Sequence, residues 1–559
     1  MSAYQEMISG AELVSGTRST MKVQIRPEDH ARIAIFSNGV FMTAPGFHES
    51  REFRTYRNAA IQAGIHFEPS RLVINVPVDD MKAIYSEAGL PMTSGGAGTG
   101  DEIAGVEKQA MARKMFADAA ARGYSDIHIY VRTDGAIFKG RKNGKLQVIN
   151  TVVRDEAQRL INAIFSVADG RGRGMEGANT NREGVLSPQG KGAGLIPQGV
   201  NGIRLNYTDE SNGNGSLMAR LLYASRNDEV DITDLGYHPT QVRSFDIMRR
   251  SMKGLYVLSG KVSSGKTTTL ERTMRKMSVE NDGEISFFTI EDPRELNIFN
   301  ATQFFARPQR DNQGMEIDGW TAGLKSVLRS DVNVVVLGEI RTREVAEAAL
   351  DLVTTGHPMW TTTHADSALG ILTRWRAMGA DMTLAGKASI TRGLIYQRLV
   401  GVLCPDCKMD LRQAQDSGRI TEGLAQKACD LTGVRADSVY VRRKPSRTGP
   451  RCPTCGSGEG LVGRTVVAEV ILPDQKLMNL YLKDDDEEAA LEYWLGDERN
   501  GCMGGMSVGH HALMKVGAGI IDPNEVELEV QQLMDYEKMP KDMISRLPDD
   551  VRSERERVA

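Results

Sequence analysis

Short apolar runs alternate with longer amphipathic segments through the middle of the chain. Residues 255–258, 287–290 and 334–337 are largely apolar runs with the length and composition of buried strands. Residues 268–277 repeat apolar side chains every three or four positions, as one face of a helix does. Strands buried on both faces and alternating with helices predict an α/β fold, with a doubly wound sheet over residues 235–400.

The N-terminal part of the chain has a different pattern. Residues 1–90 contain strand-like pieces at 32–36 and 72–76 around a helical stretch at 52–63. This arrangement predicts a small α/β domain, and it carries no motif that identifies a chemistry. The Gly-, Ser- and Thr-rich stretch that follows predicts a flexible linker, which we place at 91–106.

A third pattern, from 107 to 234, is rich in strands. A helix is predicted near 155–168, and the Gly-rich segment 170–199 predicts a mobile loop. The strand-like pieces share an apolar alternation and lie at 127–131, 202–206 and 217–223. The chain ends in a charged tail, 536–559, for which we expect frayed structure.

Composition limits the kind of protein. A length of 559 residues suggests three or four domains, and 40% apolar with 25% charged residues is ordinary for a globular protein. The net charge of −4 and the lack of a Lys/Arg block argue against a broad basic surface, so we expect no direct nucleic-acid partner. No apolar run approaches the roughly eighteen residues of a membrane helix. We therefore expect a cytoplasmic protein that associates with a membrane peripherally, through partners.

One segment predicts the class of ligand that the chain binds. Gly260-Lys-Val-Ser-Ser-Gly-Lys-Thr267 matches the G-x-x-x-x-G-K-[ST] pattern of a phosphate-binding loop, between a predicted strand and a predicted helix. Backbone N–H groups and the helix N-terminus would surround an anion, while Lys266 would reach the β- and γ-phosphates and Thr267 would ligate Mg²⁺. The alternative is a glycine-rich turn that matches by accident. The predicted nucleotide-binding residues here are Gly260, Ser263, Ser264, Gly265, Lys266, Thr267 and Thr268.

Acidic residues follow two other strands of the predicted sheet. Glu291, Asp292 and Glu295 come after one of them, and Gly338-Glu339 follows another. The carboxyl ends of parallel strands meet at one edge, so these side chains should lie near the loop. Because Gly338 stands where an Asp usually holds Mg²⁺, we expect Glu291 or Asp292 to help hold the metal and Glu339 to orient or deprotonate water. Glu295 is a further catalytic candidate, and a solvated loop charge is the alternative for each.

Two histidines, His357 and His364, bracket a short apolar stretch. No third ligand recurs nearby, which argues against a metal site. As neutral hydrogen-bond donors near a γ-phosphate they would sense bound nucleotide, and ordinary structural roles are the alternative.

Four of the six cysteines form two C-x-x-C pairs, Cys404/Cys407 and Cys452/Cys455. Without a secretory signal the thiols stay reduced, so metal binding is favoured over disulfides. Two such pairs can complete a tetrahedral Cys₄ zinc site of structural character, and coincidental pairing is the alternative.

These segments resemble the type II secretion and type IV pilus assembly ATPases, from about residue 107 to 530. The chain departs from the family pattern at Asp331-Val-Asn333, where Asp-Pro-Asp is usual, and at Thr342, where an acidic residue is usual. The matching segments, in family order, are the start of the N2 domain (125–129), the Asp box (289–295), the Walker B segment (328–341), the His box (355–366), Gln397-Arg-Leu-Val400 and Gly463-Arg-Thr465.

The resemblance implies an architecture. It implies that the doubly wound domain is RecA-like, and that a PAS-like α+β N2 domain (107–234) and an N-terminal partner-docking domain (1–90) precede it. It also implies a zinc-binding insert at 401–460 and a C-terminal helical part at 461–535.

The resemblance also implies a function. It implies a homohexamer that uses ATP, Mg²⁺ and Zn²⁺, with Arg204 and Arg220 of the N2 domain and Arg341 serving the nucleotide. From the residues alone, Arg220 on an apolar strand needs an anionic partner, and an internal carboxylate is the open alternative. Partners would be an inner-membrane platform protein and a cytoplasmic docking protein.

The machine implied is a type IV pilus, including a plasmid or conjugative thin pilus, or a type II secretion pseudopilus. The N-terminal domain and the cysteine insert favour assembly over retraction. A retraction motor, a nucleic-acid translocase and an inactive scaffold are the competing functions.

Overall fold

The structure is a computed structural model whose described residues form two compact units, Met1–Tyr223 and Ala224–Ala559. Within that described part of the chain, no helix is both long enough and apolar enough to cross a bilayer. The described residues are 11–16, 22–25, 29, 32–44, 47–65, 73–76, 81, 84, 100–169, 181–210, 214–223, 231–292, 298, 301–306, 309–310, 316–444, 452–456 and 459–533.

The first unit begins with a small α/β arrangement. Its helix starts after Ser50, whose hydroxyl accepts the N–H of Phe53, and Phe53 packs edge-on against Phe41 in the buried cluster. The strands at 33–35 and 73–75 and the helix at 51–62 lie in the stretches for which the sequence predicts strands and a helix. The elements are β1 (Ser15–Gly16), β2 (Val23–Gln24), β3 (Ile33–Ile35), β4 (Phe41–Thr43), α1 (Arg51–Gln62) and β5 (Val73–Asn75).

A six-stranded antiparallel sheet with two helices forms the rest of this unit, in the order β8-β7-β6-β11-β10-β9. Ile127, Ile129 and Val131 alternate along one strand and join a buried cluster with Phe116 and Ile161 of the helices, so one face of the sheet forms the core. The elements are α2 (Gly100–Ala121), β6 (Asp126–Arg132), β7 (Gly135–Lys142), β8 (Lys145–Val152), α3 (Arg154–Val167), β9 (Arg182–Leu186), β10 (Val200–Glu210) and β11 (Asn214–Tyr223).

Two predictions for this region differ from the structure. The segment 170–199 is not a loop throughout, because β9 pairs with β10 and sets Leu186 opposite Ile203. The helix α2 begins at Gly100, so positions 100–106 of the predicted linker are helical. Residues 91–99 lie outside the described residues.

The second unit is built on a seven-stranded sheet in the order β14-β13-β17-β18-β12-β19-β22, in which all but β22 are parallel. Two further pairs, β15–β16 and β20–β21, form small sheets. The strands are β12 (Leu255–Ser259), β13 (Phe287–Glu291), β14 (Ala301–Phe305), β15 (Gln309–Arg310), β16 (Glu316–Ile317), β17 (Val334–Leu337), β18 (Met359–Thr363), β19 (Thr391–Leu403), β20 (Met409–Asp410), β21 (Tyr440–Val441) and β22 (Leu461–Ile471).

Helices cover both faces of this sheet. Val334 and Val336 join one buried cluster with Met274 of α5, whereas Val335 joins the other cluster with Leu350 of α7. The predicted doubly wound α/β sheet is therefore confirmed. The helices are α4 (Pro239–Arg250), α5 (Lys266–Glu280), α6 (Gly319–Val327), α7 (Arg343–Thr354), α8 (Gly370–Met378), α9 (Met382–Ala385), α10 (Leu411–Asp416), α11 (Glu422–Thr432), α12 (Gln475–Leu482), α13 (Glu487–Leu495), α14 (Val508–Gly517) and α15 (Pro523–Glu529).

An insert separates β19 from β22, the antiparallel pair at one side of the sheet. Leu403 lies opposite Leu461, so the two ends of the insert meet. Its buried side chains, among them Leu411, Leu431 and Val441, belong to the same hydrophobic cluster as the central sheet. The insert is therefore packed onto the main core.

Candidate functional site

The predicted phosphate loop turns sharply between β12 and α5. Gly260 and Gly265 have φ values of 147° and 86°, and Ser263 has a φ of 65°, conformations that L side chains rarely adopt. A Cβ on Gly260 would lie 2.4 Å from the backbone oxygen of Gln397, so this position has room for glycine alone. Gly265 is the N-cap residue of α5, which places the helix N-terminus at the loop.

The interior of the loop has the donors that a phosphate needs. The Ser264 side chain is 5% exposed, and its hydroxyl has no hydrogen-bond partner among the described residues. Buried polar groups are normally satisfied, and a phosphate oxygen would satisfy this one. The Lys266 ammonium donates to the backbone oxygen of Gly260 at 2.8 Å, while half-buried Thr267 and exposed Thr268 follow in the first helical turn. These residues fit a nucleotide phosphate.

Glu339 is held at the carboxyl end of β17, directly after Gly338. The N–H of Gly338 donates to the backbone oxygen of Ile290 at 2.8 Å, and its carbonyl accepts from the Thr362 hydroxyl at 2.7 Å. The Glu339 carboxylate accepts from Nε of Arg341 at 2.9 Å, and its side chain is only 14% exposed. This carboxylate is therefore fixed and largely shielded from solvent.

His364 connects Glu339 to the phosphate loop. Its Nε2 lies 3.3 Å from Oε1 of Glu339, and its Nδ1 lies 3.2 Å from the backbone oxygen of Gly260. The Gly260 oxygen and the oxygen of ionised Glu339 are both acceptors. The two ring nitrogens of His364 can therefore both donate only when the ring is an imidazolium. The neutral ring expected from the sequence satisfies one of the two contacts.

The other acidic candidates lie at the same edge of the sheet but further from the loop. Glu291 is 4% exposed and accepts from the Thr289 hydroxyl at 2.6 Å, whereas Asp292 is exposed. Their strand, β13, is third in order from β12, which is about 14 Å at the usual strand spacing. Glu339, which follows the end of β17, is one strand nearer to the loop. Glu295 lies outside the described residues.

The structure does not bring His357 to this edge. It precedes β18, whereas His364 follows it, and β18 runs parallel to β12. Pro358 and the five residues of β18 lie between the two histidines, and the strand alone spans about 17 Å. The Nδ1 of His357 lies 2.8 Å from the Thr355 hydroxyl. The expectation that both histidines sense one γ-phosphate is therefore corrected: within one chain, only His364 stands at the loop.

The two predicted arginines lie in the first unit, on one face of its sheet. Arg204 of β10 and Arg220 of β11 are directly opposite each other in register. The Nε of Arg220 donates to Oδ1 of Asp126 at 2.8 Å, and Asp126 is 1% exposed. The internal carboxylate that the sequence left open for Arg220 is therefore present, and a charge-assisted bond orients this guanidinium.

The four predicted thiols come together. The sulfurs of Cys404, Cys407, Cys452 and Cys455 all lie within 4.8 Å of one another. The pairs Cys404–Cys452 and Cys407–Cys455 are each 3.7 Å apart. Tetrahedral zinc with Zn–S bonds of about 2.3 Å separates its sulfurs by about 3.8 Å. The cluster therefore has the dimensions and the donor set of a structural Cys₄ zinc site.

The fold delivers these thiols from the two ends of the insert. Cys404 directly follows β19, and its N–H donates to the backbone oxygen of Gly460, just before β22, at 2.9 Å. Burial raises the pKa of the Cys404 and Cys407 thiols, whereas hydrogen bonds from the backbone N–H groups that follow Cys452 lower its pKa to about 7. Cys452 therefore ionises more readily near neutral pH than Cys404 or Cys407.

A family match links the loop, the acidic edge and the cysteines. The family described as type II/IV secretion system protein matches residues 101–508, well over half of the chain. The chain belongs to this family.

Individual relatives share less than a third of their aligned residues with this chain. The type II secretion system ATPase E of Vibrio cholerae is 28% identical over 375 residues, which cover 67% of each chain. The type IV pilus assembly ATPase PilB of Thermus thermophilus is 26% identical over 374 residues, 66% of this chain and 38% of PilB. The X-ray structure of the Legionella pneumophila ATPase DotB is 18% identical, with a TM-score of 0.46, over 75% of this chain and 95% of DotB.

Two further residues lie beside the loop, and the sequence assigned a role to neither of them, although Gln397 begins one of the segments that match the family. The Nε2 of Gln397 donates to the backbone oxygen of Ser264 at 2.7 Å, and its Oε1 accepts from the Tyr237 hydroxyl at 2.6 Å. A glutamine inside the apolar strand β19 is a signal that the sequence does carry. Tyr237 has no local signal, because 160 positions separate it from Gln397.

Proposed function

We propose that this protein is the hexameric motor ATPase that powers assembly of a type IV pilus or of a type II secretion pseudopilus at the inner membrane. The observation that carries the proposal is the link from Gly260 through His364 to Glu339. Nucleotide binding needs the loop alone, whereas hydrolysis also needs a fixed carboxylate for the attacking water. Relatives named as a secretion ATPase and a pilus assembly ATPase support this role.

The phosphate loop holds the β- and γ-phosphates of ATP. The Lys266 ammonium exchanges its contact with the Gly260 oxygen for phosphate oxygens, and the Ser264 hydroxyl gains its partner. Mg²⁺, when bound, neutralises charge on the terminal phosphates. Thr267 offers a direct oxygen ligand of the kind that this ion prefers, and Glu291 or Asp292 acts on the ion through its bound water.

Glu339 orients or deprotonates the attacking water, and His364 responds to the γ-phosphate. Without nucleotide, Arg341 keeps Glu339 in place. The side chain of Arg341 is 61% exposed, and it turns toward the nucleotide when ATP binds. Arg204 and Arg220 of the first unit neutralise phosphate charge, in the manner of arginine fingers. Closure around ATP and reopening on ADP release then convert hydrolysis into domain motion.

The remaining parts connect this motor to its machine. Zinc held by the four cysteines fixes the insert against the core. The N-terminal domain docks on a cytoplasmic partner, and an inner-membrane platform protein receives the motion. The protein works at the cytoplasmic face of the membrane and engages no nucleic acid directly.

Glu339→Gln tests the proposal at the enzyme level. The phosphate loop stays intact in this variant, so ATP affinity is expected to change by less than about threefold, while kcat falls at least about 100-fold. Glu347→Gln is the matched control, because Glu347 lies on the exposed face of α7 and pairs with Arg343 at 2.6 Å. Steady-state ATPase assays and calorimetric ATP titrations measure both quantities.

Deletion of the gene tests the role in the cell. We expect loss of surface pili or of protein secretion, restored by the wild-type and Glu347→Gln genes and not by Glu339→Gln. If Glu339→Gln retains both ATP hydrolysis and machine function, the motor mechanism is wrong.

A further inference from the structure

We propose that Gln397 and Tyr237 are positioning residues that set the conformation of the phosphate loop, a role that rests on the proposed ATPase function. Neither residue would touch the nucleotide. Gln397 lies on β19 beside the loop strand β12 and is fully buried. Burying a primary amide without partners is unfavourable. The Gln397 amide has a partner at each end: its oxygen accepts from Tyr237, and its nitrogen donates to the loop.

Gln397 forms the floor under both glycines that bracket the loop. Its backbone oxygen would lie 2.4 Å from a Cβ on Gly260, and its side-chain Nε2 would lie 3.2 Å from a Cβ on Gly265. One residue therefore contacts the start and the end of the loop. Its side chain acts on the end of the loop, where the helix N-terminus begins.

The hydrogen bond from Gln397 fixes the orientation of one peptide unit. Nε2 donates to the carbonyl oxygen of Ser264 at 2.7 Å, so this carbonyl points down to the floor. In a planar trans peptide the C=O and the next N–H point in opposite directions. The N–H of Gly265 is therefore turned away from the floor, into the loop interior where a phosphate binds.

Tyr237 decides which end of the Gln397 amide faces the loop. Its hydroxyl donates to Oε1 at 2.6 Å, so the Nε2 end must face Ser264. The same hydroxyl lies 3.1 Å from the Thr269 hydroxyl in the first turns of α5. Burial raises the pKa of Tyr237, which keeps the hydroxyl protonated and able to donate.

Tyr237 is itself held in place by its neighbours. The buried Lys515 ammonium donates to the backbone oxygen of Gly236 at 2.7 Å and to the Thr465 hydroxyl at 2.6 Å. Gly236 has a φ of 93°, and a Cβ there would lie 1.9 Å from Oγ1 of Thr465. The Tyr237 ring then packs edge-on against Phe245 at 5.2 Å. A continuous set of contacts therefore runs from α14 to the phosphate loop.

Tyr237→Phe removes the hydroxyl that orients the amide. We expect the Kd of ATP, measured by calorimetry on the full chain, to rise about three- to tenfold. Tyr256→Phe is the matched control: its hydroxyl is also buried and donates to the backbone oxygens of Ser251 and Lys253 at 3.0 and 2.9 Å. A general loss of stability would affect both variants, whereas loop positioning affects Tyr237→Phe alone. Equal ATP affinity in the two variants would overturn the proposal.

Gln397→Glu gives a signature that a merely structural role does not. Burial raises the pKa of the new carboxyl group, so at low pH it stays protonated and donates to the Ser264 oxygen as the amide does. At high pH the carboxylate faces that oxygen with no proton, and the peptide unit turns. We expect ATP affinity within about twofold of wild type at pH 6 and at least about tenfold weaker at pH 8.5.

Each variant is compared with wild type at the same pH, because ATP itself titrates in this range. A variant-to-wild-type affinity ratio that does not change with pH would contradict the inference. If Gln397→Glu does not fold, the pair of tyrosine variants still decides it. Failure of wild-type protein to bind ATP would instead refute the proposed function, so the two failures are distinguishable.

Discussion

At the residue scale, His364 determines whether Glu339 stays tied to the phosphate loop. Its two nitrogens face the Glu339 carboxylate and the Gly260 oxygen, and Lys266 donates to that same oxygen. A γ-phosphate offers both donors a better acceptor, so binding of ATP is expected to release Gly260 and leave Glu339 free to engage water. ADP lacks that phosphate and would leave the link to Glu339 in place.

Replacing His364 by glutamine keeps one neutral donor and removes the second contact. We expect kcat to fall about ten- to a hundredfold, with a smaller change in ATP affinity, because the loop itself is untouched. His357→Gln is the control, since His357 lies at the opposite end of β18. We expect this variant to hydrolyse ATP at nearly the wild-type rate. Equal losses in the two variants would place both histidines in the site and contradict the geometry.

Which residues could be foreseen depends on how local their signal is. Lys266 and Glu339 follow from a motif and from a strand end, both readable within a few positions. The partner of Arg220 is Asp126, 94 positions away, and it becomes a neighbour only when β11 pairs with β6. The contact between Tyr237 and Gln397 has the same character. Tertiary pairing, not local pattern, creates these contacts.

At the element scale, burial on both faces determines which strands the sequence pattern predicts. The strands β12, β13 and β17 are buried on both faces, so their apolar runs predicted them. The strand β8 is an edge strand on which Leu146 and Val148 are exposed, whereas Ile149 and Val152 are half-buried against the core. Apolar side chains therefore point to both solvent and core, and the sequence pattern did not predict this strand.

The insert between β19 and β22 is closed by the cysteine cluster, which leads to a prediction about zinc. Cys452→Ser is expected to lose one bound zinc per chain and to lower Tm by several degrees, because the two ends of the insert are no longer joined. Cys429→Ser is the control, since Cys429 lies on α11 within the insert and outside the cluster. Zinc content and thermal unfolding measure the effect. Full zinc content in Cys452→Ser would exclude the Cys₄ assignment.

The packing of α14 on β22 makes stability depend on pH. His511 is 2% exposed, its Nδ1 accepts the N–H of Ala468 at 3.1 Å, and burial, with nearby Lys515 and His238, holds its pKa well below 6.5. The unfolded chain therefore binds a proton below pH 6.5 that the folded chain does not. The stability that neutral His511 contributes is therefore present above pH 6.5 and is lost progressively as the pH falls below that value.

His511→Asn isolates this contribution. The asparagine carbonyl can still accept from Ala468 but does not titrate, while all carboxylates are common to both proteins. We expect Tm of the wild type to fall more steeply between pH 7.5 and 5.5 than Tm of the variant, by a few degrees. Parallel curves would show that His511 is charged, or accessible to protons, in the folded state.

At the scale of the whole molecule, separate cores suggest separable tasks. The buried cluster that contains Val14 and Ile84 and the cluster that contains Ala112 and Leu221 share no member among the described residues. The family match begins at residue 101, after the first of these clusters. A region with its own core can be removed without exposing the core of the next.

Removal of residues 1–99 should therefore separate enzyme from machine. The cut falls just before α2, whose side chains contribute to the second cluster, so we expect the shortened chain to keep its Tm and to hydrolyse ATP within about twofold of the full-length rate. In cells the same truncation should fail to restore pili or secretion to a deletion strain, because the domain that we propose docks on a partner is absent. Thermal unfolding, ATPase assays and complementation measure the three outcomes. A truncated protein that unfolds would show that the first region supports the fold of the rest, and one that restores the machine would show that docking lies elsewhere in the chain.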